Sequence, residues 1–484
     1  MRKLNFGVSR GECSPGELWP VGEPLRKVWA SLLAVLSGAA ASLPAQFDAT
    51  TWQRYLDQTV DLDLYPGVIA ARLEAGNVDY WSSGSMDAEG SRPPAPDTIF
   101  QLGEVTGIFT VAATYELVKA KELSWNTKLA VFLPAQAQPP AFEDMPIRLS
   151  HLATHSSDLP PLPLDLELGR LDPQQPFAEY GPRDLYRSLA IIARLNQPPG
   201  TRYQFSTFGM GALGHVLSLR TNQAYGDVIR NQVLEPLGLD AIAAELDETQ
   251  RKRLATGFKG QTQVPPWDYG ALEGAGQLMG SAEALIAFLK AAANFEPSPL
   301  EETFRQMRKT VLPAEDHEDT WMAFGWHVTT PRDAQLFWQS GLTGGYAAFI
   351  GYDLLNRRAV VVLANAGESV EPLGFHLLSP RDFPLPPLFE TANLAPETVA
   401  RLSGVYETET GLRVIVRQED NRLYVKIGDA PEYRVYAESP LTFFYRNDRT
   451  RLRFAESRGP APVVTVMRGF QAVPAKRVAG AAVD

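Results

Sequence analysis

The sequence contains a single cysteine, Cys13, among its 484 residues. One cysteine cannot form an internal disulfide or a zinc site built from several thiolates, so both are excluded. Positive charge is also scarce, because 45 Lys and Arg stand against 56 Asp and Glu, which gives a formal net charge of −11. A chain with this balance is not generally attracted to polyanions. We therefore expect no nucleic-acid partner, and no residue pattern indicates a metal or cofactor.

The sequence also lacks an apolar run of the roughly 20 residues that a transmembrane helix needs. The shorter run Val28–Ala41, preceded by Arg26 and Lys27, has the length and charge pattern of a secretory leader. Ala45 offers a cleavage site, so residues 1–45 are predicted to be a signal region. The mature protein is then expected in the periplasm or outside the cell, without a transmembrane anchor.

Residues 1–24 form a longer and more mixed-charge prefix than a secretory leader usually has. A translation start assigned too early would explain this prefix. An uncleaved N-terminal helix is the alternative to a cleaved leader.

The length of the chain exceeds what one hydrophobic core usually sustains, and it predicts two domains. Ser379–Pro396 contains five prolines and little hydrophobic periodicity, so it is predicted to be a linker. The predicted organisation is a first domain at 46–378, a linker at 379–396 and a C-terminal domain at 397–484.

Turn residues and hydrophobic periodicity predict a first domain with both helices and strands. Gly67–Glu74 and Asn77–Trp81 are predicted to form a hairpin around Gly76, and Gly103–Lys121 a long buried helix. Four later strands are predicted to complete a sheet with that hairpin: Met322–Val328, Gln335–Gln339, Tyr346–Tyr352 and Ala359–Leu363.

The C-terminal domain is predicted to consist only of β-strands. Seven short strands are expected: Gly404–Glu407, Leu412–Val416, Leu423–Ile427, Tyr433–Tyr436, Phe443–Tyr445, Leu452–Phe454 and Val463–Met467. Because side chains alternate between the two faces of a strand, many of its aromatic residues are interpreted as core. Binding of a sugar or peptide by these aromatic residues is the alternative.

Eight short motifs follow one another between about residues 60 and 366: Pro66-Gly67 before the hairpin, Asp97–Gly103, Leu152–Pro160, Pro199–Arg202, Pro236–Leu239, Ala255–Phe258, Gly274–Leu278 and Gly341–Tyr346. In order and spacing they resemble the penicillin-binding serine hydrolases, which include class C β-lactamases, D-alanyl-D-alanine carboxypeptidases and related esterases. The resemblance implies an α+β fold with an antiparallel sheet, flanking helices and a helical subdomain. The segment Leu402–Tyr406 is similar to the start of the lipocalin-like β domain that often follows such proteins.

The resemblance implies three groups of catalytic residues, and the first is a serine nucleophile with a lysine three residues later on one helix face. Glu104 occupies the serine position and Gly107 the lysine position. No Ser-x-x-Lys occurs anywhere in the chain, so no other segment replaces this pair.

The second implied group is Tyr-x-Asn, in which the tyrosine relays a proton and the amide holds the substrate carbonyl. Phe205 stands at the tyrosine position and cannot exchange a proton, while Thr207 stands at the asparagine position. Tyr203 precedes Phe205 by two residues, about 6.5 Å in an extended chain, which makes it a poor replacement.

The third implied group is Lys/His-Thr/Ser-Gly on a strand, which supplies a positive charge for a substrate carboxylate and a backbone N–H for an oxyanion. The sequence here is Gln339-Ser340-Gly341. The positive charge is therefore lost, while the glycine is retained.

Because every ionisable or nucleophilic position has changed, the sequence predicts a pseudoenzyme that keeps the scaffold of a hydrolase. Its ligand is expected to be a small molecule, a cell-wall peptide or a partner protein. The cleft is expected to be lined by Glu104, Gly107, Tyr203, Phe205, Thr207, Gln339, Ser340, Gly341 and Leu342. The alternative is a hydrolase of esters, amides or cell-wall peptides with a relocated mechanism.

Two roles are open for Glu104. At a helix N-terminus its carboxylate is stabilised by the helix dipole, and it could cap N–H groups that would otherwise belong to an oxyanion hole. Alternatively, it could pair with the cation of a ligand that enters the space left by the lysine at Gly107. His151 and His155 have the i, i+4 spacing of metal ligands, but no third ligand is near, so a structural role is predicted. His215 is predicted to be a core residue.

Overall fold

Two regions of different architecture follow one another along the chain. The computed structural model describes residues 47–481, apart from residues 89, 91, 136, 167–171, 173, 261, 315–318, 389, 390, 393, 420, 429, 431, 446–449, 469 and 470. The predicted signal region, with Cys13 and the cleavage site at Ala45, lies outside the described residues. Helices and strands alternate up to residue 378, and strands predominate from residue 404 onward.

Strands from both ends of the first region meet in one antiparallel sheet. In chain order the strands are β1 (Gly67–Glu74), β2 (Asn77–Gly84), β3 (Ile99–Gln101), β4 (Ala141–Phe142), β5 (Met145–Pro146), β6 (Gly257–Lys259), β7 (Thr262–Val264), β8 (Met279–Ser281), β9 (Leu312–Pro313), β10 (Thr320–Met322), β11 (His327–Thr329), β12 (Leu336–Leu342), β13 (Ala347–Asp353) and β14 (Arg358–Ala364). The sheet order is β2-β1-β14-β13-β12-β11-β10-β9, and β3–β8, β4–β5 and β6–β7 form separate pairs.

Helices pack on the sheet and around its edges. They are α1 (Ala49–Asp61), α2 (Thr106–Lys119), α3 (Leu149–Ala153), α4 (Pro182–Ile191), α5 (Thr207–Thr221), α6 (Tyr225–Ile229), α7 (Glu235–Leu237), α8 (Glu248–Arg251), α9 (Glu273–Gly276), α10 (Ala282–Ala292), α11 (Glu301–Met307), α12 (Glu371–Leu378) and α13 (Pro396–Leu402). A π-helical turn, Arg230–Leu234, continues α6.

Both faces of the central strands are buried. Along β1, Ile69 and Leu73 pack into the core that contains α2 and α10, while Val68 and Ala70 pack into the core that contains α1 and α12. Successive side chains of a strand point to opposite faces of the sheet, and here helices cover both faces, so both sets of side chains are apolar. The predicted hairpin of β1 and β2 is confirmed, with Gly76 at a φ of +86° in its turn.

The long helix predicted at Gly103–Lys121 begins later than expected. Gly103–Val105 is a 3₁₀ turn in which Gly103 has a φ of +53°, and the α-helix proper is α2. Nearly all of α2 is buried, as predicted, because neighbouring helices and the sheet surround it.

The prediction of one strand at Met322–Val328 is wrong. The structure places the end of β10 at Met322 and the start of β11 at His327, with a turn between them. The Ala323 N–H donates to the Trp326 carbonyl at 2.8 Å, and Gly325 has a φ of +78°. The glycine therefore reverses the chain within a segment that reads as continuous hydrophobic sequence.

The second region is a closed antiparallel barrel. Its strands are β15 (Gly404–Thr408), β16 (Arg413–Glu419), β17 (Arg422–Ile427), β18 (Tyr433–Ser439), β19 (Thr442–Phe444), β20 (Arg451–Phe454), β21 (Val463–Arg468) and β22 (Gln471–Arg477). The sequence predicts seven of these eight strands and misses β22, because Pro474 interrupts its pattern. Tyr406, Phe443 and Phe454 lie in the barrel core, as expected of the aromatic residues, whereas Tyr433 is exposed.

The barrel rests on the loop that leads into β1. The Tyr436 hydroxyl donates to the Leu62 carbonyl at 2.7 Å, and Arg434 forms an ion pair with Asp63 at 2.6 Å. Leu62, Tyr436 and Phe444 form a small buried cluster at the same place. The two regions therefore contact each other through specific hydrogen bonds as well as apolar packing.

Asn365, fully buried after β14, should contribute strongly to stability. Its carbonyl accepts the Gly67 N–H at 2.6 Å, and its amide donates to the carbonyls of Ser85 and Thr256 at 3.1 and 2.9 Å. Asn365→Ala leaves one buried and two part-buried backbone groups without this partner, which should lower the free energy of unfolding by about 3 kcal/mol. Urea denaturation followed by tryptophan fluorescence measures the loss.

Asn231→Ala is the matched control, because Asn231 is exposed and bonds only to the side chain of Gln223. Its effect should stay within about 0.5 kcal/mol. Equal effects of the two substitutions would contradict the role assigned to Asn365.

Candidate functional site

The end of β12 touches the 3₁₀ turn that precedes α2. A Cβ atom on Gly341 would lie 2.1 Å from the Leu102 carbonyl oxygen and 2.9 Å from the Glu104 nitrogen. A Cβ on Gly103 would lie 3.0 Å from the Leu342 nitrogen. Glycine at both positions therefore lets the two backbones approach closely enough for their N–H groups to converge.

The Glu104 carboxylate lies on this pair of N–H groups. Its Oε2 accepts the Leu342 N–H at 2.8 Å, and the carboxylate also accepts the N–H of Glu104 itself. Burial raises the pKa of Glu104, and the two N–H groups oppose that rise because they stabilise the carboxylate. Of the two roles open for Glu104, this geometry is that of the N–H cap.

Met210 is the side chain nearest to Gly107. A Cβ on Gly107 would lie 3.4 Å from both Cγ and Cε of Met210, which is an ordinary van der Waals contact. Met210 comes from α5 and is buried. A flexible thioether side chain therefore lines this space, and entry of a ligand group beside Gly107 stays a prediction.

Phe205 and Tyr203 lie together in a small apolar cluster with Leu312 and Met322. The Phe205 ring packs against His155 at a centroid distance of 4.9 Å. The Tyr203 hydroxyl is hydrogen-bonded to Nε2 of His327 at 3.1 Å in a buried environment. The phenol of Tyr203 is thus engaged with a histidine.

The start of α5 holds Thr207 in place. Ser206 is the N-cap of this helix, and its hydroxyl accepts the Gly209 N–H at 2.8 Å. Thr207 follows as the first helical residue and is buried. A short polar side chain at the cap is the usual start of a helix, so this part of the motif has a structural explanation.

The histidines near this segment serve the backbone. Nδ1 of His155 accepts the Ser206 N–H at 3.1 Å, and Nδ1 of His151 accepts the Arg148 N–H at 3.2 Å. Burial lowers the pKa of both imidazoles to about 4, so they remain neutral at physiological pH. His215 is hydrogen-bonded to the Tyr186 hydroxyl at 2.8 Å. Within the described ranges, no three His, Cys, Asp or Glu side chains are grouped as a metal site.

The third sequence group forms the outer edge of the site. Gln339 is buried, and its side-chain Oε1 accepts the neighbouring Ser340 N–H at 3.1 Å. The Ser340 hydroxyl donates to Glu371 at 2.8 Å. The Leu342 side chain is 42% exposed, so it presents an apolar surface at the position that follows the glycine.

A family model for β-lactamases matches residues 52–376. The chain belongs to the β-lactamase family. The α+β fold of the first region is that of this family, and the second region is an eight-stranded antiparallel barrel of lipocalin-like form, so the fold predicted from sequence is confirmed.

Curated relatives of this β-lactamase-family protein include penicillin-binding protein 4 of Amycolatopsis lactamdurans, 27% identical over 46% of this chain and 57% of the relative. The unguisins hydrolase ungD' of Aspergillus campestris is 25% identical over 66% of the chain and 63% of the relative. The alignments therefore span less than two thirds of the length of these two relatives. The D-alanyl-D-alanine-carboxypeptidase/endopeptidase AmpH of Escherichia coli K12 is 22% identical over 48% of the chain and 58% of the relative.

Solved structures support the fold. The octameric penicillin-binding protein homologue from Pyrococcus abyssi matches with a TM-score of 0.60 and 19% identity, over 89% of this chain and all of that chain. A class C β-lactamase from Rhodobacter sphaeroides matches with a TM-score of 0.59 and 19% identity, over 69% and 98% of the two chains.

Two aromatic residues near Glu104 were missed by sequence reasoning. Burial raises the pKa of Tyr269, and the charge of Glu104 raises it further, which places the two side chains in one electrostatic environment. Trp267 packs against Gly344. The side chain of Gln101 fixes the backbone of Trp267, because its Oε1 accepts the Trp267 N–H at 2.9 Å and its Nε2 donates to the Trp267 carbonyl at 2.7 Å. The loop Pro265–Gly270 has no periodicity, so its aromatic content was the only available signal.

Glu104→Gln should change the pH dependence of stability. Because burial raises the pKa of Glu104 above 4.5, the folded chain retains a proton over a pH range in which the unfolded chain has lost it. The contribution of Glu104 to the free energy of unfolding therefore falls as pH rises through that range. The melting temperature of the glutamine variant minus that of wild type should therefore increase from pH 4 to pH 8.

Glu409→Gln, at an exposed turn of the barrel, is the control for this series. Its melting temperature should follow that of wild type at every pH. A Glu104→Gln difference that does not change with pH would show that burial does not shift the titration of this carboxyl.

Proposed function

We propose that the protein is an exported, non-catalytic member of the β-lactamase family that binds a ligand in the former substrate cleft. The observation that carries this proposal is the hydrogen bond from the Leu342 N–H to the Glu104 carboxylate. The donors at which an acyl-transfer oxyanion would develop already hold a carboxylate of the chain itself.

Acyl transfer through this site would meet two obstacles. A tetrahedral intermediate needs donors about 2.7–3.1 Å from its developing oxygen, and Glu104 accepts one such donor at 2.8 Å. The intermediate would also place a negative charge beside the carboxylate, with no cation paired to Glu104 among the described residues. Removal of nucleophile, base and proton relay together leaves no side chain of the family mechanism in place.

The ligand is a small molecule, a cell-wall peptide or a segment of a partner protein. A peptide is supported by the similarity to AmpH, a D-alanyl-D-alanine-carboxypeptidase/endopeptidase. Gln339 is neutral and buried, so the cleft has no cation at the position where the family holds a substrate carboxylate. We expect recognition to rest on backbone groups, Leu342 and the aromatic loop of Trp267 and Tyr269.

Export is proposed from the leader-like run at Val28–Ala41. None of the helices in the described part of the chain is long and apolar enough to cross a bilayer. Periplasmic or secreted location places the cleft where cell-wall peptides are present.

The competing function is hydrolysis by a relocated mechanism. It is supported by similarity to the unguisins hydrolase ungD' of Aspergillus campestris and to a β-lactamase of Pseudomonas fluorescens. The two functions differ in whether substrate is consumed, so turnover decides between them.

Purified wild-type protein should not react covalently with penicillin. Fluorescent penicillin should leave no band on a denaturing gel, because no serine-lysine pair is present to form an acyl-enzyme. Peptides that end in D-alanyl-D-alanine and p-nitrophenyl butyrate should be recovered intact by mass spectrometry and absorbance. A stoichiometric adduct, or turnover that survives Glu104→Ala, would overturn the non-catalytic proposal in favour of the relocated mechanism.

The ancestral chemistry should return most strongly when the new lysine has room beside Met210. Glu104→Ser, Gly107→Lys and Phe205→Tyr rebuild nucleophile, base and proton relay, and Met210 is the side chain nearest to the Cβ of the new lysine, at 3.4 Å. Adding Met210→Ala should raise p-nitrophenyl butyrate hydrolysis above the triple variant, since general acid–base catalysis alone contributes about 10²–10⁴-fold.

The matched control carries alanine instead of serine at position 104 and keeps the other three substitutions. It should be as inactive as wild type, because these groups act as a unit. A folded four-substitution variant that stays inert would show that the cleft no longer has the geometry of an active hydrolase.

A further inference from the structure

A cavity of about 870 Å³ lies at one end of the barrel, far along the chain from Glu104. Its walls come from strand ends that meet at the same barrel rim, including Thr408, Leu412, Ile427 and Arg468. The volume is within the range of small-molecule sites, which is about 300–1,000 Å³. The cavity is not formed by the barrel alone. Lys259, Gly260 and Thr262 of the β6–β7 hairpin in the first region also line it.

Apolar side chains form the barrel wall of this cavity. Leu412, Ile427, Val466 and Val473 line it, and Val466 and Val473 are direct partners across β21 and β22. Farther along the barrel, the interior is filled by buried core side chains such as Tyr406 and Phe454. An aliphatic chain placed at the rim would therefore bury apolar surface away from water on several sides, which favours binding.

Charged groups of both signs line the cavity at the mouth of the barrel. Two carboxylates are among them, and arginines already neutralise both: Asp63 pairs with Arg434 at 2.6 Å, and Glu432 pairs with Arg417 at 2.7 Å. Arg468 also lines the cavity and is engaged in another interaction. The Lys259 ammonium takes part in no ion pair or hydrogen bond with any residue that the structure describes. The mouth thus offers a cation to an incoming molecule.

The β6–β7 hairpin, which carries Lys259, is anchored to the rest of the first region. The Phe258 N–H donates to the Asn365 carbonyl at 3.2 Å, and a Cβ on Gly257 would collide with the Tyr346 ring at 2.7 Å. The lysine therefore projects from an anchored strand pair, so the position of its backbone relative to the barrel mouth is defined.

We propose that this cavity binds a single-chain amphiphile with an aliphatic tail and an anionic head group. The tail lies against the four apolar residues of the barrel, and the head group, a carboxylate or a phosphate ester, pairs with Lys259. Each half of the ligand is recognised by a different region of the chain. The site goes beyond the cleft function, since it uses none of the residues around Glu104.

Fluorescence titration with 11-(dansylamino)undecanoic acid, below its micelle concentration, tests the site in the full mature protein. Binding should be saturable at one site per chain. Lys259→Glu should weaken it about tenfold or more, because a like charge replaces the cation that meets the head group. Lys252→Glu, the same charge change outside the cavity, should leave the affinity unchanged.

The tail contact is tested with Val473→Trp, which places a large ring in the cavity at a side chain that is already 43% exposed. This variant should lose at least tenfold in affinity, while Val478→Trp, at an exposed position outside the cavity wall, should not. Thermal melting verifies that each variant is folded.

Competition defines the head group. Dodecanoate and dodecyl phosphate should displace the probe, and whichever is stronger identifies the preferred anion, while dodecanol should be about tenfold weaker. Equal displacement by dodecanol, equal effects of Lys259→Glu and Lys252→Glu, or the absence of saturable binding would each overturn the proposal. Glu104→Ala should bind the probe normally, which separates this result from the fate of the cleft function.

Discussion

The contact between the glycine turn at Gly103 and the strand end at Gly341 determines the architecture of the candidate site. A side chain at Gly341 would overlap the Leu102 carbonyl, so the two backbones can meet only as glycines. The contact joins parts of the chain that are 238 residues apart and brings the Leu342 N–H to Glu104. Every feature of the candidate site, from the carboxylate to the exposed Leu342, depends on this approach.

The same contact gives a pair of converging N–H groups a resident acceptor. Such groups cost free energy when they are buried without an acceptor, and in an active hydrolase they donate to an oxyanion during the reaction. Glu104 supplies a permanent acceptor, so the backbone geometry is stable in the resting protein. Met210 packs beside Gly107, on the helix face where the family carries its lysine.

The sequence was sufficient to predict features that depend on local patterns and on the order of motifs. The β1–β2 hairpin follows from alternation around Gly76, while the assignment of Glu104, Gly107 and Phe205 to catalytic positions of the family rests on motif spacing and stays a prediction. It could not predict the contact of Met210 with Gly107 or the proximity of Tyr269 to Glu104. Both arise from packing between segments more than 100 residues apart, which local patterns do not specify. The turn at Gly325 was missed because the hydrophobic pattern continues through it, and β22 was missed because Pro474 interrupts its alternation.

The pairing of β1 with β14 has a consequence for how this chain was assembled. Val68 lies opposite Ala364, so the beginning and the end of the hydrolase sheet are adjacent. A domain whose ends adjoin can be joined to another module, or separated from it, without crossing its own fold. The barrel follows that junction and contacts Leu62 and Asp63, a few residues before β1. Fusion at this junction keeps the new module beside the place where the domain begins, and the sheet needs no rearrangement to accept it.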